Sequence, residues 1–212
     1  MHYGRILTDP EGGHYELNLA ASEVVRAVRL ENADLDAAQL RRVCVQACEP
    51  VNGIELLVSN AGKILLTVED YRDEPLDIAF VERLYAALTE GISIKEVREI
   101  ESREANAVDE LRAKALESFC AHVWVPDGNH TLVDALIALY YFKTFRLFPA
   151  GNNVLAFLLY FLILHRAGYH FSAHVPVVKL LYPRDDDGGR GHGLACAPRT
   201  SWLPATATST GP

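Results

Sequence analysis

Two apolar runs constrain this chain most: LVDALIALYYF at 132–142 and VLAFLLYFLIL at 154–164. Each is about half the ~20 residues that a bilayer-crossing helix needs. Lys143, Arg146, Pro149 and Gly151 stand between them. Runs this greasy and this short have to be wrapped by the rest of the chain, so the pair predicts two central helices of an α domain joined by a tight turn. A chain of 212 residues, 50% of them hydrophobic and 23% charged, supplies one core of this kind and not two.

The flanking sequence is mostly helical in period, with readable punctuation. Residues 1–18 read as an irregular lead-in, because Asp9-Pro10 and Gly12-Gly13 interrupt regular structure. From Leu19 to Cys48 the apolar positions Val24, Val25, Val28, Leu35, Leu40, Val43 and Val45 recur among charges. A break at Asn32-Ala33-Asp34 leaves Asp34 or Asp36 to cap a second helix that ends before Pro50. Residues 51–70 carry another helical run, punctuated at Asn60 and Gly62. Asp77 or a neighbour caps a helix through Phe80, Leu84 and Leu88, which Gly91 closes.

Residues 92–100 alternate β-branched and charged residues and read as a loop or a short β-hairpin flap, and 104–123 as an amphipathic helix. Pro126-Asp127-Gly128-Asn129 is a turn, and Thr131 is placed to cap the helix of the first apolar run. Tyr140, Tyr141 and Phe145 are expected to pack the core, and Gly168 stands at the C′ position after the second run. Residues 183–212, opening with DDDGGRGHG, read as a disordered tail. The fold class expected is all-α, with one helical domain over 19–182.

Charge and composition exclude some functions. A net charge of −8 with no block of Lys and Arg argues against a general nucleic-acid surface. MHYGRILTDPEGG lacks the apolar stretch of a signal peptide, so a cytoplasmic protein without membrane association is expected. Cys44, Cys48, Cys120 and Cys196 are too scattered for a disulfide scaffold; Cys44 and Cys48 read as buried small hydrophobes or as a redox pair. His165, His170 and His174 read as structural or surface histidines, with no nearby acid to complete a metal site.

The segment 134–169, DALIALYYFKTFRLFPAGNNVLAFLLYFLILHRAGY, resembles the core of the Fic (fido) family. That family's signature is His-Pro-Phe-x-Asp/Glu-Gly-Asn-Gly-Arg, followed by a helix ending in Gly-Tyr. Anchored on Gly151 and Asn152, the family Phe falls on Phe148. The His falls on Arg146, the Pro on Leu147, the acid on Ala150, the second Gly on Asn153 and the Arg on Val154. RLENADLDAAQL at 29–40 is similar to the inhibitory helix found before many Fic cores, with Glu31 at its Glu and Ala27 in place of its hydroxyl residue. LYAALTEG at 84–91 resembles the helix that opens the core. The resemblance spans about 19–175, with 19–50 as the inhibitory-helix-like region and 76–175 as the core.

The resemblance implies a domain whose usual reaction, nucleotidyl transfer to a protein hydroxyl, has lost its parts. Arg146 keeps its proton and cannot act as general base. Ala150 offers a hard cation no ligand, and Val154 cannot pair with phosphate. What remains is Gly151, Asn152 and Asn153 at a helix start with Arg146 nearby. This is either a nucleotide- or phosphate-binding nest that works without magnesium, or simply a turn with Arg146 solvated at its edge. Glu31 is expected to be a solvated carboxylate or a partner of Arg146.

Three functions are open on these residues. The first is a pseudoenzyme that binds ATP or another nucleotide. The second is an enzyme acting on a small molecule through a rebuilt pocket, with Arg146, Asn152 and nearby tyrosines as positioning groups. The third is a structural or regulatory module whose partner is another protein or a second copy of the chain.

Overall fold

The structure, a computed structural model, describes residues 12–93, 96, 109–123, 130–169, 172 and 174–182. Among these residues the regular structure is helical and contains no strand. Most of the expected 92–100 flap, the 126–129 turn, His170, Cys196 and the 183–212 tail lie outside the described residues.

The helices run in the order α1 (Gly12–Arg29), α2 (Ala37–Cys44), α3 (Gly53–Leu66), α4 (Ile78–Leu88), α5 (Asp109–Val123), α6 (Thr131–Phe145), α7 (Asn152–Arg166) and α8 (Val177–Leu181). A 3-10 turn, Val68–Tyr71, follows α3. The two apolar runs become α6 and α7, a hairpin closed over Arg146–Gly151. Helix α7 is the axis of the fold, buried at every residue from Asn152 to His165. It lies along α6 and is also packed by α1, α3 and α4. Each fully buried Leu or Phe on it contributes about 1.5–3 kcal/mol to folding. No helix among the described residues is long and apolar enough to cross a membrane.

The caps follow side-chain chemistry. Asp36 accepts hydrogen bonds from the Ala38 and Gln39 amides at 2.8 and 3.2 Å, and Asp77 accepts from the Phe80 amide at 2.7 Å. Asn52 accepts from the Glu55 amide at 2.9 Å, while Glu55 accepts in return from the Val51 amide at 3.0 Å. Each contact satisfies an amide that the first helical turn leaves without a partner.

Four local expectations are corrected. Helix α1 starts at Gly12, inside the segment 1–18 read as irregular. Helix α3 runs unbroken through Asn60 and Gly62, because both serve tertiary contacts rather than a turn. A Cβ on Gly62 would overlap the Cys44 carbonyl oxygen, so Gly62 is what lets α2 lie against α3. Asn60 is buried and donates to the Leu88 and Glu90 carbonyls at 3.2 and 2.9 Å, tying off the end of α4.

The cap of α6 is His130, whose Nδ1 accepts from the Leu132 amide at 3.2 Å; Thr131 is already the first helical residue. Of the three aromatics assigned to the core, only Tyr141 packs there, against Phe119 and with its hydroxyl donating to the Ala115 carbonyl at 3.0 Å. Tyr140 is 63% exposed and Phe145 48% exposed. Helix α6 is thus apolar on more of its circumference than α5 and α7 cover.

Candidate functional site

The hairpin loop is shaped by its own side chains and by the core beneath it. Gly151 caps α7 at φ +72°, a left-handed conformation in which a side chain is strained. A Cβ there would also meet Leu57 Cδ1 at 3.2 Å, so the loop backbone sits directly on α3. Asn152, 1% exposed, grips the other side of the loop. Its Oδ1 accepts from the Phe148 amide at 2.9 Å and its Nδ2 donates to the Phe148 carbonyl at 2.7 Å. Phe148 is buried, with its ring stacked on Tyr85 at 4.1 Å between centroids.

Arg146 also takes a left-handed conformation, at φ +46°, where it ends α6. A non-glycine residue there costs about 1 kcal/mol or more unless something holds it. Glu31 supplies the hold. Its Oε1 accepts from Arg146 Nη2 and from Asn153 Nδ2, both at 2.6 Å. Glu31 lies just past the end of α1, 115 residues from Arg146 in sequence and 122 from Asn153. Only 14% of the Arg146 side chain and 16% of the Glu31 side chain is exposed. Of the two fates expected for Glu31, the structure has the pairing with Arg146, and Arg146 is not solvated at the edge of a turn.

All five sequence-derived site residues, Glu31, Arg146, Gly151, Asn152 and Asn153, therefore meet at one place. They divide by task. Gly151 and Asn152 build the loop, and Asn153 and Arg146 hold a carboxylate near the start of α7, where negative charge is favoured. The positions of the family acid and Arg are core: Ala150 and Val154 are 0% and 1% exposed. Leu147, at the family Pro, is buried too. The residues do not fit a magnesium ion here, since Ala150 has no ligand atom and the Glu31 oxygen nearest the loop is engaged by two donors. Among the described residues no group of three His, Cys, Asp or Glu side chains could hold a metal.

Sequence reasoning missed two neighbours. Lys143, one turn before Arg146 on α6, places Nζ over the Tyr182 ring at 2.8 Å from its centroid. Burial pushes Lys143 down to about 8, with Glu31 opposing and Arg146 adding to the shift. Tyr182 follows α8, and burial raises its hydroxyl above the ordinary tyrosine value. The other miss is Glu23 on α1, 2% exposed, which accepts from the Val178 amide at 2.7 Å and from Arg26 at 3.0 Å. Burial raises its carboxyl above the usual range, against the pull of those two partners.

The other candidates resolve into structural roles. His165 is buried, stacked on Phe161, and lies 2.8 Å from Glu69, an acid that spacing alone did not reveal. His174 is exposed. Cys44 is buried and pushed up to about 12 by its burial, and Cys48 lies beyond the end of α2, so the pair does not share a helix face. No protein-family profile, no curated protein and no solved structure matches this chain.

Proposed function

We propose that this chain is a strongly divergent Fic-like domain that no longer carries out His-dependent nucleotidyl transfer and acts as a pseudoenzyme with a carboxylate-gated anion cradle. The observation that carries the reading is the Glu31 oxygen shared at 2.6 Å by Arg146 Nη2 and Asn153 Nδ2. A guanidinium and an amide converging on one oxygen at a helix start is an arrangement that also suits a phosphate. The ligand class is a nucleotide or another phosphate bound without magnesium, and it competes with Glu31 for the same two donors. Catalysis is not part of this reading, because the position of the base holds Arg146 and those of the acid and the Arg are apolar core.

Calorimetric titration with ATP, ADP and pyrophosphate, with and without magnesium, tests it on the wild type and on Glu31→Gln. The variant is expected to bind at least about tenfold more tightly, since it removes both the competitor and its charge. Magnesium is expected to leave the affinity unchanged. No binding by either protein at millimolar ligand overturns the cradle.

A second reading, a protein-interaction module or homodimer, is favoured by one observation. Leu132, Val133, Leu136 and Tyr140 form an exposed apolar stripe on α6. Sedimentation velocity of the wild type beside Leu136→Glu tests it: a concentration-dependent dimer lost in the variant supports it, and a monomer in both removes the homodimer.

A further inference from the structure

Next to Arg146, Lys143 has surroundings unlike those of a surface lysine. Three charged side chains crowd where the ends of α1 and α6 meet: Glu31, Lys143 and Arg146. One carboxylate faces two cations. Arg146 holds it directly at 2.6 Å and cannot give up its own proton. Lys143 has instead the face of Tyr182, contributed by the segment after α8. With Lys143 protonated, the cluster carries one positive charge in excess. With a neutral nitrogen at Lys143, Glu31 and Arg146 balance.

We propose that Lys143 is an acyl-acceptor site, at which its neutral amine takes the acyl group of a small acyl phosphate. The balance of the step is simple. The Nζ lone pair attacks the acyl carbon, an N–C bond forms, and the C–O bond to phosphate breaks. Phosphate leaves with the bonding electrons, and the nitrogen loses a proton to solvent. The product is a neutral amide, which leaves the Glu31–Arg146 pair as the only charges in the cluster. An anionic acyl donor is drawn by the excess positive charge. The Tyr182 ring gives the aliphatic stem and the new amide a flat surface to lie on. The lowered proton affinity of Lys143, to about 8, agrees with this placement, since only the unprotonated amine reacts. The groups facing the amine are Glu31 from the end of α1, Arg146 from the end of α6 and the Tyr182 phenol. The inference does not depend on nucleotide binding at the loop.

The test uses the full chain and acetyl phosphate, with site-resolved mass spectrometry from pH 6.5 to 10.5. Lys63, Lys114 and Lys179 are exposed and serve as internal standards. At pH 7.5 Lys143 is expected to react about tenfold or more faster than these three, with a rate that levels off above pH 8. Glu31→Gln removes the charge that favours the ammonium and is expected to raise the rate at pH 7. Arg146→Gln is expected to lower it, and Arg146→Lys to restore it. A Lys143 rate no greater than that of the exposed lysines, or one still climbing with them above pH 10, overturns the proposal on wild-type protein alone. Variants that move the rate in the same direction overturn it as well.

Discussion

Two glutamates leave one stretch of chain for two different helix starts, and they end in different situations. Glu23, within α1, reaches the start of α8 and meets a backbone amide, that of Val178. Glu31, just past the end of α1, reaches the start of α7 and meets two side chains, Arg146 and Asn153. The first is 2% exposed and completes the backbone of a helix that has no side-chain cap from its own N-cap, Pro176. The second is held by groups that another anion can satisfy equally well. The contrast shows that a buried carboxylate on a backbone donor is part of the fold, whereas one shared between side chains is exchangeable.

The largest effect is expected from Glu23→Ala. It strands a buried amide and removes the partner of Arg26, and should cost about 3 kcal/mol of stability in urea unfolding. Glu31→Ala should cost about 2 kcal/mol, since Arg146 and Asn153 can turn to water, and should raise phosphate affinity where Glu23→Ala does not. If Glu31→Ala costs as much as Glu23→Ala with no gain in affinity, the distinction between the two glutamates is broken.

A smaller effect sharpens the comparison through pH. Because burial raises the Glu23 carboxyl above its ordinary 4.5, the folded state holds its proton more tightly than the unfolded state. The associated stability is fully present below 4.5 and is lost as pH rises through the raised value. Glu23→Gln keeps an acceptor for Val178 and removes that loss. Its melting temperature should match the wild type at pH 4 and exceed it at pH 7. The smallest effect belongs to Glu74→Ala, which removes a surface pair with Arg83 and should change stability by no more than about 0.5 kcal/mol.

What the sequence made legible follows from the range of each interaction. The α6–α7 hairpin, the caps at Asp36 and Asp77 and the end of α7 before Gly168 depend on residues within a few positions of one another. Asn60 and Gly62 look like turn residues locally, yet one serves the end of α4 and the other the approach of α2. Propensity gave way to tertiary contact at both. The site was legible only in part. The loop residues stand together in sequence, and Glu31 came from the resemblance to an inhibitory helix. Its two hydrogen bonds, the Tyr182 ring over Lys143 and the bond from Glu23 to Val178 join segments far apart in the chain, where periodicity carries no information.

The seating of Gly151 on Leu57 and Leu88 also has a consequence in time. A surface loop ordinarily exchanges its amide hydrogens with solvent by local breathing, well ahead of the body of the protein. Here the Leu155 amide is bonded to the Gly151 carbonyl at 2.8 Å, and the Phe148 amide is closed by Asn152 at 2.9 Å. The loop is cast against α3 and α4, and it cannot open without lifting the start of α7 from the core. Deuterium should therefore enter at Phe148 and Leu155 as slowly as at the middle of α7, which makes the hairpin turn one of the last parts of the molecule to meet water.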